Sequence, residues 1–94
     1  MNNYETIFLM KDDITEEQRN TVIEDIREYL TKNGTISEEE NLGKKKLAYE
    51  VRKYEYAYYY LIQFIGKADI ISELERKYRI NENILKFITV RRDS

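Results

Sequence analysis

Residues 56–65 read YAYYYLIQFI, ten positions without a charge, closed by Gly66. A run rich in aromatic and branched residues and ended by glycine is a β-strand. Alternate side chains of a strand point to opposite faces. One set is Tyr56, Tyr58, Tyr60, Ile62 and Phe64; the other is Ala57, Tyr59, Leu61, Gln63 and Ile65. Gln63 marks the second set as the wetter one. The strand therefore belongs to a sheet with one face on a core and one face open, and the rest of the chain must cover the first face.

Residues 4–10 (YETIFLM) form a second strand of the same kind. Glu5 puts Ile7 and Leu9 on its outer face, and Thr6, Phe8 and Met10 on its inner face. Thr15, three positions before Gln18, fits a capping box. Val22, Ile23, Ile26, Tyr29 and Leu30 follow at helical spacing. Glu16 and Glu17 suit the first turn, Lys32 the last, and Asn33-Gly34 the stop. The spacing predicts a helix over 16–32. A long bent strand is expected over 35–51, kinked near Gly43, with a polar turn over 52–55. A second helix starts at Ala68 or Asp69 and carries Ile70, Ile71, Leu74 and Tyr78. The turn Asn81-Glu82-Asn83 leads to a last strand over 84–90 and a tail, Arg91-Arg92-Asp93-Ser94.

The order strand–helix–strand–strand–helix–strand is that of two split βαβ units, the α+β, ferredoxin-like βαββαβ sandwich. Right-handed crossovers put both helices on one face of a four-stranded antiparallel sheet. Residues 1–94 read as one such domain, with no linker signalled. The chain has no proline, cysteine or histidine. There is thus no disulfide framework, no thiolate, and neither the commonest general base nor the commonest metal ligand. No catalytic centre, metal or cofactor is expected. No apolar run approaches the roughly 20 residues of a membrane span, and no signal-peptide pattern opens the chain, so a cytoplasmic location is expected.

Net charge is −2, unevenly placed. Residues 1–47 carry seven Lys/Arg and eleven Asp/Glu; residues 48–94 carry nine and seven. Local basic patches can still meet phosphate, weakly when the protein is alone. Two such patches stand out. Lys44, Lys45 and Lys46 follow Gly43 on the bent strand, where lysines also guard a strand edge against unwanted pairing. Arg79, Lys86, Arg91 and Arg92 occupy the end of the second helix and the last strand, and are expected to converge near Tyr4. On the open face, Ile7, Leu9, Tyr59 and Leu61 form an apolar patch suited to a partner. The aromatic motif of RNA-recognition sheets is matched only at Tyr56, Ala57 and Tyr58.

LGKKKLAYEVRKYEYAYYYLIQF (42–64), with YETIFLM before it and YRINENILKFITVR (78–91) after it, resembles the bacterial small-subunit (30S) ribosomal protein S-six (S6) family. The resemblance runs from Tyr4 to Arg92. It implies a structural, non-enzymatic constituent of the ribosome. Its expected partners are the central domain of 16S rRNA and a small basic protein, ribosomal protein S-eighteen (S18). It implies RNA contacts at Tyr4, Arg79, Lys86 and Arg91. Asn2 and Asn3 stand where the family often has basic residues, Glu50 where proline usually follows Leu-Ala-Tyr, and Ala57 where glycine is frequent. Some members carry a long acidic tail that these 94 residues do not include.

Two other functions fit the element order. One is a regulatory or dimerisation domain that binds a small molecule or protein through the open face. The other is an acylphosphatase-like hydrolase, which wants an arginine in a phosphate-cradling loop after the first strand. Lys11-Asp12-Asp13 offers acid there instead.

Overall fold

The computed structural model describes residues 1–92. Six elements follow in the expected order: β1 (Asn2–Lys11), α1 (Glu16–Asn33), β2 (Gly34–Val51), β3 (Tyr54–Gly66), α2 (Ile70–Ile80) and β4 (Ile84–Arg91). The sheet order is β2-β3-β1-β4, antiparallel throughout. β1 and β2 thus run parallel with β3 between them, and α1 is the crossover. α2 does the same for β3 and β4 across β1.

The capping box at Thr15 is formed. The Gln18 amide donates to Thr15 Oγ1 at 3.1 Å, and the Thr15 amide donates to Gln18 Oε1 at 2.8 Å. The helix ends where Asn33-Gly34 predicts, for a different physical reason. Gly34 is not left-handed; it is extended, φ −165°, and is already the first residue of β2. A Cβ there would press into the Ile65 carbonyl oxygen, closer than real Cβ atoms approach. The helix therefore passes into the strand with no loop.

The kink expected near Gly43 is present. Gly43 has φ +79°, a conformation that favours glycine, and the β2–β3 register shifts between Asn41 and Gly43. Two further shifts, at Ile36/Glu38 and Lys46/Val51, bend the strand more. The polar turn is shorter than expected. Arg52 and Lys53, with φ of +52° and +71°, turn the chain alone between the paired Val51 and Tyr54. A two-residue hairpin loop with both φ values positive matches strand twist, usually with Asn and Gly.

Strand alternation places the core as read. Tyr4, Phe8, Met10, Tyr60, Ile62 and Phe64 pack under both helices, against α1 residues such as Ile26 and Leu30 and α2 residues Leu74 and Tyr78. Phe8 lies between Tyr60 and Tyr78, with ring centroids 5.6 and 5.3 Å away. Each such pair adds about 0.5–1.5 kcal/mol beyond burial. Thr6, wholly buried, hydrogen-bonds the hydroxyls of Tyr78 and Thr89, each at 2.9 Å, so the polar tips inside this core are satisfied.

Tyr60 fills the core while its hydroxyl reaches the rim. There it donates to Glu39 Oε1 at 2.9 Å, beside Arg27, which grips the same carboxylate through Nε and Nη2. Arg27 also pairs with Glu24. This network ties α1 to β2 across β3. Burial opposes the charge on Glu39, but the hydrogen bonds from Arg27 and Tyr60 outweigh it and hold the carboxyl below its usual pKa.

A carboxyl with a lowered folded-state pKa stabilises fully above its unfolded pKa of about 4.3, and this contribution fades as pH falls through the lower folded value. Glu39→Gln is therefore expected to cost about 1–2 kcal/mol near pH 7. Urea melts of both proteins from neutral to strongly acidic pH should show the gap closing below the ordinary carboxylate range. A gap that stays constant with pH would assign the loss to shape rather than charge.

Candidate nucleic-acid and partner interface

The face of the sheet opposite the helices divides into three zones. At the end where β1 begins, polar groups form a chain. Arg92 Nη1 donates to Gln63 Oε1 at 2.7 Å, and Gln63 Nε2 donates to Glu5 Oε1 at 3.2 Å. The Arg92 amide also holds the Asn3 carbonyl at 2.6 Å. In the middle the surface is apolar. Ile7 pairs with Leu61 on one side and Ile88 on the other, and Val90 lies beyond, opposite Glu5. At the far end lie Tyr59, Lys45, Lys86 and Tyr49.

The apolar zone differs from the expected patch in one residue lost and two gained. Leu9 is buried, only 7% exposed. The end of the β2–β3 hairpin curls over it, and Leu9, Leu47, Ala57 and Leu85 make a second small core on this face. Leu85 reaches that cluster because β4 bulges there: the register shifts between Leu9 and Met10, opposite Lys86 and Ile84. Ile7 and Tyr59 remain half-buried at its margin, and Leu61, paired with Ile7, is half-buried too. Ile88 and Val90 are exposed by 56% and 44% and extend the patch across β4. The charge on Lys86 was the signal for both, since alternation sends 86, 88 and 90 outward together.

The proposed cations do not gather in one place. Arg91 pairs with Tyr4, and Arg92 binds Asn3, so these two do lie at the start of β1. Lys86 pairs with Leu9 at the other end of the sheet. Arg91 lies five positions further along the strand, about 17 Å of extended chain. Arg79 ends α2 at the Lys86 end but in the helix layer, weakly paired with Glu75 at 3.8 Å. The expected convergence of all four near Tyr4 is therefore corrected: an extended β4 holds them apart.

Tyr4 itself is turned inward. It is 6% exposed and stacked on Phe64 at 5.4 Å, with its hydroxyl accepting from Asn2 Nδ2 at 3.1 Å. The ring is committed to the core and cannot stack on a base. Its parity with Thr6 and Phe8 was the signal.

The three lysines alternate as the strand does. Lys45 pairs with Ala57 on the open face and lies 5.7 Å from the Tyr59 ring centroid. Lys44 and Lys46 oppose Tyr58 and Tyr56 on the helix side. Lys44 is 3.6 Å from Asp12 and 5.4 Å from the Tyr56 ring. Lys86 Nζ donates to the Tyr49 hydroxyl at 2.8 Å, which draws that phenol below its usual pKa. Among the described residues no cluster of acidic groups could hold a metal, and no helix is long and apolar enough to cross a membrane.

The family model described as Ribosomal protein S6 matches residues 3–91. The chain is 43% identical over 95 aligned positions to the small ribosomal subunit protein bS6 of Helicobacter acinonychis, covering all of this chain and 67% of that protein. It is 41% identical to the Campylobacter jejuni protein of the same name, covering 97% of this chain and 74% of that one. The crystal structure of 30S ribosomal protein S6 from Thermotoga maritima superposes with a TM-score of 0.92 at 30% identity, over 97% of this chain and 87% of that one.

Leu9 and Ile88 sit on the same face of neighbouring strands yet should respond differently to truncation. Leu9→Ala should cost about 2–4 kcal/mol, as for a core residue, and Ile88→Ser less than about 0.5 kcal/mol. Denaturant midpoints of the two variants decide this. Equal losses would mean that the hairpin end does not cover Leu9.

Proposed function

We propose, starting from the fact that this chain belongs to the ribosomal protein S6 family, that it binds the central domain of 16S rRNA jointly with a small basic protein of the S18 type. Residues 1–94 serve as one ferredoxin-like unit in this reading. As a member of that family the chain is a structural constituent of the small ribosomal subunit in the cytoplasm and not an enzyme.

One observation carries the joint-binding reading. The open sheet face presents Ile7, Leu61, Ile88 and Val90 as a continuous apolar zone with a charged zone at either end. An apolar zone rimmed by charge fits a protein partner better than it fits RNA. The cations at the two ends suit phosphate instead. A net charge of −2 gives little RNA affinity alone, and a basic partner seated on the apolar zone supplies what is lacking. In this reading Lys86, Lys45 and Arg79 meet RNA from one end, and Arg91 and Arg92 from the other. Asp93 and Ser94, the rest of the expected tail, lie outside the described residues.

Mixing the chain with central-domain RNA, with and without the partner, tests the proposal. Affinity should rise strongly when the partner is added, and RNA affinity indifferent to the partner rules the reading out. Ile88→Asp should weaken partner association at least tenfold, because it puts a charge in the apolar zone. Arg79→Ala and Lys86→Ala should each lower the slope of log affinity against log salt by about one. A slope that does not move removes that residue from the interface.

A further inference from the structure

Tyr49 closes the Leu-Ala-Tyr stretch, 64% exposed, on the curled end of the β2–β3 hairpin. Its ring fills no core. The Lys86 ammonium bonds its hydroxyl at 2.8 Å and lies 5.0 Å from the ring centroid. That places the cation at the rim of the ring beside the oxygen, and the aromatic face stays open.

The backbone around Tyr49 is held on both sides. Leu47, two residues before it, is buried in the small core with Leu9 and Leu85. After it comes the tight Arg52-Lys53 turn. Arg52 Nη1 reaches the Ile84 carbonyl at 3.4 Å, and the Tyr54 hydroxyl donates to Asp13 Oδ2 at 2.8 Å. An exposed ring on a fixed backbone loses little freedom on binding.

The surroundings are cationic in an acidic chain. Residues 44–56 hold five Lys/Arg against two carboxylates, Glu50 and Glu55, and Lys86 adds a sixth cation from β4. An open aromatic face beside lysines at strand spacing matches what a single-stranded nucleic acid requires. The ring stacks on an unpaired base and the cations meet the phosphates on either side. A duplex keeps its bases stacked on each other and offers the ring nothing.

We propose that Tyr49 is a stacking platform for one unpaired base of single-stranded RNA, with Lys45 and Lys86 at the flanking phosphates. This rests on the reading of the chain as an RNA-binding ribosomal constituent and adds to it a residue and a mode of contact.

Fluorescence anisotropy of end-labelled octauridylate with the full chain tests it. Tyr49→Leu should weaken binding about tenfold without changing the salt slope, because a stacked ring neutralises no phosphate. Tyr49→Phe should stay within about twofold of the unaltered protein, because it keeps the ring. Lys86→Gln should lower the slope by about one. An unlabelled RNA duplex of equal length should compete poorly. The proposal is overturned if octauridylate does not bind, if the leucine variant binds like the unaltered protein, if the phenylalanine variant fails as badly as leucine, or if the duplex competes equally. Tyr49 is exposed, so all variants should melt like the unaltered protein. If partner-stimulated binding to central-domain RNA persists while Tyr49→Leu is silent, the stacking site alone falls. If the partner has no effect on RNA affinity, the joint-binding reading falls, whatever the oligonucleotide does.

Discussion

The constraint on which the rest of this structure depends is the handedness of two crossovers. β1 must reach β2, and β3 must reach β4, each across an intervening strand. Both connections are helices, and right-handed connections bring both to the same side of the sheet. One face is then closed by Ile26, Leu30, Leu74, Tyr78 and their neighbours, and the other is left without cover. Strand alternation converts this into a sorting rule. Thr6, Phe8, Tyr60 and Phe64 go to the dry side; Glu5, Ile7, Leu61 and Gln63 go to the other. What the open face offers a partner follows from this geometry more than from any single residue.

The hairpin modifies that rule locally. β2 and β3 outrun the rest of the sheet, and their end, past the register shifts at Asn41/Gly43 and Lys46/Val51, lies over the open face. Leu47 then closes on Leu9 and Leu85, and a second, smaller core forms where the topology alone would leave water. The bend also carries Tyr49 to Lys86, linking residues that are 37 positions apart. The open face is therefore graded along its length, from a polar end at Gln63 and Arg92, through an apolar middle, to an aromatic and cationic end.

Element order, helix limits and the inward set of β3 were legible in the sequence because each rests on local chemistry. The Thr15 cap, the 3.6-residue spacing of α1 and the alternation around Gln63 need no knowledge of distant contacts. The site was less legible. Leu9 reads as exposed from its own strand, and only the hairpin folding back from residues 47–54 buries it. Lys86 and Arg91 read as neighbours because they are close in sequence, yet an extended strand keeps them at opposite ends of the sheet. Tyr4 was readable: its parity with Phe8 points it inward, although the family resemblance implies a contact there. Ile88 and Val90 follow from the same parity argument applied to β4.

The direct passage from α1 into β2 at Asn33 and Gly34 gives the chain an uneven tolerance of length change. A helix advances its side chains by about 100° per residue, whereas a strand inverts them at every step. With no loop between, a single inserted residue cannot be absorbed. It would either turn the buried stripe of α1 off the sheet or send Glu39 to the face away from Arg27. The two-residue turn at Arg52 and Lys53, exposed and outside the main core, is under no such coupling. Natural variation in length should therefore collect at the hairpin end and avoid the joint that sets the register of the sheet.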